Sequence, residues 1–331
     1  MKKSTVIMLC AGFALLVMGG AVFALTFSMG AIGYEGDFFQ FGFGRHGADE
    51  PYIYDDNSYD GRETYTYGGK VYENKSLALE GANARFTQVE LQLGLADTTV
   101  TQDGGPAYVK SENFPEGKLT FEVADGKLIV KDLSRNINFN FGIRQPKRQR
   151  KLTINLPPDA ELAAMKCDRG VGDLSVKGIS AGTLTVTDGV GSLYMENVST
   201  NRLSLSSGVG DTTVKGLTCK GDADLTRGVG DMDVEGANIE GTVKITGGTG
   251  DFDLTGIVKG DISLEAGVGD CDLKLLGEPG DYYFTLDKGV GDLSIDDIEF
   301  SSKQKTYGQP DAPYKIDLRG GVGEIDVEFM Q

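Results

Sequence analysis

Tryptophan is absent from this 331-residue sequence, histidine occurs once, and only nine prolines and four cysteines are present. The single histidine, His46, lies outside the repeated region, which excludes a histidine-based catalytic triad or a histidine-rich metal site in that region. Lysine and arginine number 32 against 49 aspartates and glutamates, so the net charge is −17. Because nucleic-acid backbones are bound by clustered cations, this balance argues against a nucleic-acid partner.

The cysteines support neither metal binding nor redox chemistry. Cys10 lies in the apolar N-terminal segment, and Cys167, Cys219 and Cys271 form no CxxC pair and have no neighbouring histidine. Three cysteines are also an odd number for a disulfide framework, so we predict that they are small buried hydrophobic residues. The sequence accordingly predicts no catalytic residues, no metal site, no cofactor and no small-molecule substrate.

Glycine is abundant where proline is scarce. The 48 glycines and the 40% apolar content predict many turns and a sizeable core, and the few prolines exclude a collagen-like chain.

The N-terminus carries one long uncharged run, from Ser4 to Tyr34, after Lys2 and Lys3. About 20 apolar residues span a bilayer, so we predict a transmembrane signal anchor over 1–34 that contacts the membrane through residues 4–34. The alternative is a signal peptide cleaved after Ala24, where small residues suit a signal peptidase. The positive-inside rule predicts a single-pass protein of the cell membrane with a cytoplasmic N-terminus and an extracytoplasmic C-terminal domain.

Residues 35–69 form a linker rich in glycine, aspartate and tyrosine. We predict a tethering spacer, with a recognition segment built on its aromatic residues as the alternative. The basic run RQPKRQRK, from Arg144 to Lys151, is predicted to be a solvated loop, and contact with anionic envelope polymers or lipid headgroups is the alternative.

The motif GVGD and its variants recur along the C-terminal half. The first glycines are Gly170, Gly189, Gly208, Gly228, Gly248, Gly267, Gly289 and Gly321, at steps of 19, 19, 20, 20, 19, 22 and 32 residues. A fixed period near 20 is typical of a solenoid. A degenerate first copy begins at Gly94, and the region at about 101–156 after it is read as an inserted hairpin region with a turn at Asp125-Gly126.

Apolar residues alternate on both sides of each motif, at five and three residues before the first glycine and at four and six residues after it. Each alternation predicts a half-buried strand. The apolar phase changes between the two strands, so we expect the glycines to form a corner, with the valine between them pointing into it. A second turn follows, after which Ile179, Val198, Leu217, Ala237 and Ile257 are predicted to point inward. The fold class predicted for residues 70–331 is all-β, a parallel β-solenoid with rungs of about 20 residues.

An acidic residue follows most of the corners. These residues, here called the aspartate ladder, are Asp97, Asp173, Asp211, Asp231, Asp251, Asp270, Asp292 and Glu324. A phosphate-binding loop is excluded, because strands flank each turn and an acid follows it. Calcium binding is one reading, but the calcium β-roll repeat has nine residues. We favour the other reading, in which the aspartates accept backbone hydrogen bonds at the turns.

The apolar N-terminus, the segment LPPDAEL before the repeats and the rungs of the type GVGDLSV resemble the bacterial putative-adhesin family of membrane-anchored β-strand-repeat envelope proteins. The resemblance covers about residues 82–331. It implies a right-handed β-helix and a non-enzymatic protein, with no catalytic residue to transfer to this chain. It also allows a role in cell-envelope stress, with which some relatives are associated.

We therefore predict a membrane-anchored, extracytoplasmic scaffold for adhesion or interaction, whose partner is an envelope polymer, a surface glycan or a membrane protein. One alternative is an accessory protein of an envelope stress response that binds its partner through the anchor and the linker. The other is a β-helical carbohydrate-active enzyme, which would need paired carboxylates in a groove.

Overall fold

A computed structural model describes residues 64–67, 69–133, 149–301 and 305–330. The predicted anchor at 1–34, most of the linker with His46, and residues 144–148 of the basic run lie outside the described residues. Within the described ranges, no helix has the length and apolarity needed to cross a membrane. The helical elements described are two short 3₁₀ turns, Gly81–Ala84 and Pro279–Asp281.

The described residues form 27 strands that are joined in one hydrogen-bonded sheet. In chain order they are β1 (Thr64–Tyr67), β2 (Lys70–Ala78), β3 (Gln88–Gln92), β4 (Asp97–Thr101), β5 (Tyr108–Pro115), β6 (Leu119–Ala124), β7 (Lys127–Asp132), β8 (Lys151–Asn155), β9 (Leu162–Asp168), β10 (Leu174–Lys177), β11 (Ser180–Thr187), β12 (Leu193–Glu196), β13 (Ser199–Ser206), β14 (Thr212–Lys215), β15 (Thr218–Cys219), β16 (Ala223–Thr226), β17 (Met232–Ile239), β18 (Val243–Thr246), β19 (Phe252–Val258), β20 (Ile262–Glu265), β21 (Cys271–Leu276), β22 (Tyr282–Asp287), β23 (Leu293–Ile295), β24 (Ile298–Glu299), β25 (Thr306–Tyr307), β26 (Tyr314–Arg319) and β27 (Ile325–Met330).

The strands on the two sides of the glycine corners form two parallel stacks. Those before the corners lie in the order β7, β3, β9, β11, β13, β16, β18, β20, β26 and β22. Those after the corners lie in the order β8, β4, β10, β12, β14, β17, β19, β21, β27 and β23. Leu174 pairs with Leu193 and Thr212 with Met232, offsets of 19 and 20 residues, so the predicted rung length is confirmed. The described part of the chain is all-β and solenoid-like.

One continuous core fills the space between the stacks. Every residue predicted to point inward from the strands that flank the corners is buried, and Phe252 and Phe284 are among the largest of them. Full burial of an aliphatic or aromatic side chain contributes about 1.5–3 kcal/mol. A single rung has too little apolar surface to be stable alone, so stability depends on stacking.

A short third side follows the second turn. Ser199 and Thr200 of β13 pair with Thr218 and Cys219 of β15, and the same line of pairing continues into β17 and β19. Of the five residues predicted to point inward here, four are buried, but Ile257 is only half-buried and the prediction for it is wrong. A register shift between Glu235 and Ala237 pairs Ile257 with Asn238, and Val258 takes the buried place.

The order of rungs in space differs from their order in the sequence at both ends. β7 and β8 form an extra rung outside the degenerate first copy, and the C-terminal strands β26 and β27 insert between β20–β21 and β22–β23. Antiparallel strands then close the stacks, with β6, β5, β2 and β1 at one end and β25 and β24 at the other. The hairpin predicted at Asp125-Gly126 is confirmed as the β6–β7 turn. Such strands reduce the tendency of open parallel edges to aggregate.

Candidate functional site

The two glycines of each corner have different roles, as Gly189 and Gly191 illustrate. A Cβ atom on Gly189 would lie against the backbone carbonyl of Gly170 in the preceding rung, far inside the 3.0 Å limit of real contacts. Gly191 has a φ of +130°, which L side chains rarely adopt, and its Cβ would meet the carbonyl of Gly172. The first glycine therefore permits close stacking, and the second permits both the stacking and the bend.

The residue between the two glycines lies on the outside of the corner. These residues, here called the valine ridge, form parallel bridges from rung to rung in the order Leu95, Val171, Val190, Val209, Val229, Thr249, Val268, Val322 and Val290. None of the nine is buried, and Val190 and Val290 expose 42% and 66% of their surface. The valines do stack, but the prediction that they point into the corner is wrong, because the change of apolar phase places this position on the outer side of the bend.

The aspartate ladder binds the backbone of the neighbouring rung. Asp231 Oδ1 accepts the N–H of Asp251 at 2.9 Å, and Asp270 Oδ1 accepts that of Glu324 at 2.8 Å. Asp97, Asp173, Asp211 and Asp251 make the same contact. In the terminal rung, Asp292 instead accepts from Lys288 Nζ at 3.1 Å. The prediction that these residues accept backbone hydrogen bonds is confirmed for six of the eight, although each donor lies in the neighbouring rung and not in the residue's own turn.

A second row of carboxylates lies two residues beyond the ladder. This outer carboxylate row consists of Asp233, Asp253, Asp272 and Asp326, which are paired with one another in successive rungs. Partial burial, and then the facing carboxylate of Asp253, raises the pKa of Asp233, and the same two causes raise the pKa of Asp272. Among the described residues, no group of three or more His, Cys, Asp or Glu side chains is placed to hold a metal ion.

Beneath the corners, the position before the first glycine carries buried charge. Arg169 and Asp188 form an ion pair between adjacent rungs, with side chains 0% and 2% exposed. The other buried arginine of this line, Arg227, donates to the carbonyl of Gly250 at 2.8 Å and lies 5.5 Å from the centre of the Phe252 ring. These residues join neighbouring rungs from the inside.

The cysteines of the folded region are free and buried, as predicted. Burial raises the pKa of Cys167 to about 12 and raises that of Cys219 and of Cys271. Cys271 Sγ lies 3.6 Å from a guanidinium nitrogen of Arg227, which lowers its pKa less than burial raises it. The raised pKa values favour the protonated thiol at neutral pH, which is the less nucleophilic form.

Two open grooves lie beside the loop at 157–162, and Asp159 and Glu161 line both of them. A carbohydrate-active enzyme needs a pair of carboxylates in a groove, and Asp159 and Glu161 are two carboxylates in such a position. Both side chains are exposed. The catalytic acid of this class of enzyme is usually buried, because burial raises its pKa.

The buried charges and the outward direction of the ridge were missed by sequence reasoning. A signal for the first was available, since arginine, aspartate, serine and arginine stand before the first glycine in the four rungs from Arg169 to Arg227. No such signal marked the ridge, because valine is common both in cores and on strand surfaces that stack on one another.

The solved structures that are similar to this chain include three bacterial proteins. A putative adhesin from Bacteroides fragilis NCTC 9343 is 18% identical, with 77% of this chain and 96% of that chain covered and a TM-score of 0.47. A putative adhesin from Parabacteroides distasonis ATCC 8503 is 13% identical, with 78% and 97% covered and a TM-score of 0.37. A putative cell adhesion protein from Clostridium sporogenes ATCC 15579 is 15% identical, with 78% and 100% covered and a TM-score of 0.27.

Among curated proteins, no sequence matches this chain. The Toastrack DUF4097 family model matches residues 86–328, which include the degenerate first copy, the inserted region and all eight later corners. With most of its length inside that match, the protein is a member of the Toastrack family, in agreement with the resemblance to putative adhesins.

Proposed function

We propose that this protein is a non-catalytic scaffold for adhesion or interaction, held outside the cell membrane by a transmembrane helix at residues 4–34. The observation that carries the proposal is the valine ridge, a row of exposed and half-buried residues, eight of the nine apolar, that runs along the corners of successive rungs with carboxylates close to it in the sequence. A stack of similar rungs offers a partner one long, regular surface, and solenoid proteins commonly bind through such surfaces. The proposal includes right-handed winding of the rungs, as the family resemblance implies.

The membrane attachment is supported by the uncharged run from Ser4 to Tyr34 and by the lysines before it. Its test is to express the full chain with a C-terminal tag and to treat intact cells and spheroplasts with protease. An anchored, outward-facing protein stays in the membrane fraction after carbonate washing and loses its tag to external protease. Release into the medium would instead indicate cleavage after Ala24, and a protected tag would refute the proposed orientation.

The scaffold role is tested by attachment of cells that display the full chain to immobilised envelope polymers and glycans. We expect attachment above that of cells that lack the protein. Hydrolysis of any polymer in the panel, lost in an Asp159→Asn/Glu161→Gln variant, would favour the enzyme alternative and contradict the proposal. Equal attachment of the two cell types would also count against it.

The second candidate function is that of an accessory protein of an envelope stress response. In that function the protein would bind its partner through the anchor and the linker. A chain reduced to residues 1–69 would then restore the envelope stress response of a deletion strain. If only the full chain restores it, the function requires the solenoid-like domain.

A further inference from the structure

The five rungs at the C-terminal end of the stack combine a continuous row of exposed and half-buried ridge residues with dense negative charge. Their ridge residues are Val229, Thr249, Val268, Val322 and Val290. We infer that this part of the valine ridge, with the carboxylates beside it, is the docking surface for a cationic amphipathic α-helix of a partner protein. The inference rests on the proposed scaffold function and names the chemistry of the partner.

The ridge residues of these five rungs are contiguous along the stack. Single exposed apolar residues are normal on protein surfaces, whereas contiguous exposed patches mark interaction sites. Val322 and Val290 are 38% and 66% exposed and are joined by a parallel bridge. The bridges continue without a gap through Val268, Thr249 and Val229, which are half-buried. At about 4.8 Å per rung, the five residues form a stripe roughly 19 Å long.

Carboxylates follow each of these five ridge residues closely in the sequence. Nine carboxylates of the aspartate ladder and the outer carboxylate row belong to these five rungs: Asp231, Asp233, Asp251, Asp253, Asp270, Asp272, Asp292, Glu324 and Asp326. Two lysines interact with these carboxylates. Lys288 binds Asp292. Lys274 lowers the pKa of Asp272, but burial raises that pKa by more. Lysines or arginines of a partner would relieve the repulsion between facing carboxylates.

The same charges argue against two other occupants. A second copy carries a net charge of −17 and would bring its own carboxylates to the contact. An anionic lipid surface would be repelled in the same way. A cationic polypeptide is the occupant whose charge complements the surface.

The spacing of the ridge favours a helix over an extended peptide. Apolar residues at heptad spacing lie about 5.3 Å apart along a helix axis, close to the rung spacing of about 4.8 Å. Side chains on one face of a strand lie about 6.8 Å apart and lose register with the rungs after two residues. A helix of four turns covers the five rungs, with its apolar stripe on the ridge and basic side chains toward the carboxylates.

The test measures binding of an 18-residue amphipathic helical peptide of leucine and lysine to the full chain in maltoside detergent, with detergent alone as the blank. The ridge variant is Val229→Thr/Val268→Thr/Val322→Thr, and its matched control is Val171→Thr/Val190→Thr/Val209→Thr in the earlier rungs of the stack. Thr249 shows that the corner accepts threonine, although its hydroxyl is buried without a hydrogen-bond partner among the described residues. Both triple variants therefore carry similar stability costs, and circular dichroism checks that each is folded.

We expect at least tenfold weaker binding by the ridge variant, little change in the control, and at least tenfold weaker binding by Asp233→Asn/Asp253→Asn/Asp272→Asn. A leucine–glutamate peptide of the same pattern should not bind. Equal affinity of the ridge variant and the wild type would reduce the contact to nonspecific charge attraction and overturn the inference. An equal loss in the ridge variant and the control would also overturn it, because the site would not lie in the C-terminal rungs.

Failure of this inference is distinguishable from failure of the scaffold function. Cells that display the ridge variant are compared with wild-type cells in the attachment assay. If the variant loses peptide binding but attaches normally, the ridge is not the surface used, and the scaffold function stands. If wild-type cells do not attach to any surface in the panel while the peptide binds as expected, the scaffold function fails and the docking surface stands.

Discussion

At the scale of single residues, glycine determines whether rungs stack. Both glycines of a corner lie against the carbonyl of the preceding rung, and the second also needs a positive φ. In six rungs, the ladder aspartate adds a hydrogen bond to the neighbouring rung. Most corners are therefore defined by steric limits and by one carboxylate acceptor.

A comparison of alanine substitutions at Gly191 and Gly104 separates the effect of the positive φ from the effect of the close approach between rungs. We expect Gly191→Ala to lower the free energy of unfolding by more than about 3 kcal/mol, since it combines an unfavourable φ with a backbone clash. The control is Gly104→Ala, at a φ of +85° but with no atom within 4 Å of the new Cβ, which should cost roughly 1–2 kcal/mol. Denaturant unfolding gives both values, and equal losses would show that the close approach between rungs is unimportant.

The buried ion pair is a second residue-scale feature. Asp188→Ala would leave the Arg169 guanidinium buried and without its carboxylate, so we expect a loss of about 3–5 kcal/mol. Adding Arg169→Met should recover much of it, because no unpaired charge then remains. The comparison is Glu196→Ala, which breaks a surface pair with Lys177 and should cost less than about 1 kcal/mol. A double variant as unstable as Asp188→Ala would mean that shape, not charge, decides this position.

At the scale of elements, the strands after the corners place like charges side by side. The raised pKa of Asp233 means that the folded state binds its proton more tightly than the unfolded state does. The ionised form is therefore destabilising above the folded-state pKa, and this effect disappears as pH falls below the ordinary value of 3.8.

We therefore expect Asp233→Asn to raise the melting temperature at pH 7. The gain in the free energy of unfolding should stay below about 1 kcal/mol, because the carboxylate is partly solvated. The gain should shrink as pH falls through the folded-state pKa and vanish near pH 3. The measurement is thermal unfolding of both proteins across that range. Asp224→Asn, at an exposed carboxylate of β16 that pairs with Arg202, serves as the control. A gain that does not depend on pH would refute the electrostatic explanation.

At the scale of the whole molecule, the C-terminal rung separates two rungs that are neighbours in the sequence. β26 pairs with both β20 and β22, and β27 pairs with both β21 and β23. In repeat proteins, each rung is stabilised mainly by its neighbours. Loss of this rung would therefore affect the C-terminal end and leave distant rungs intact.

Ending the chain before residue 314 tests this arrangement. We expect the amides of β22 and β23 to lose most of their protection from hydrogen exchange, while those of β11 to β14 keep theirs. Exchange measured by mass spectrometry on the full and shortened chains resolves the two regions. Unchanged protection in β22 would mean that this rung stacks directly on β20 and β21, and uniform loss would mean that the stack unfolds as one unit.

The sequence by itself determined the repeat, its period, the inward residues of the strands beside the corners and the burial of Cys167, Cys219 and Cys271, because alternation of apolar residues is a local property. It also indicated the capping role of the aspartates. Only the tertiary structure decided the outward direction of the valine ridge, the shift at Ile257 and the insertion of β26 and β27 between earlier rungs. These depend on which backbones meet across tens of residues, and rungs with the same apolar pattern pair equally well in several orders until turns and end strands select one.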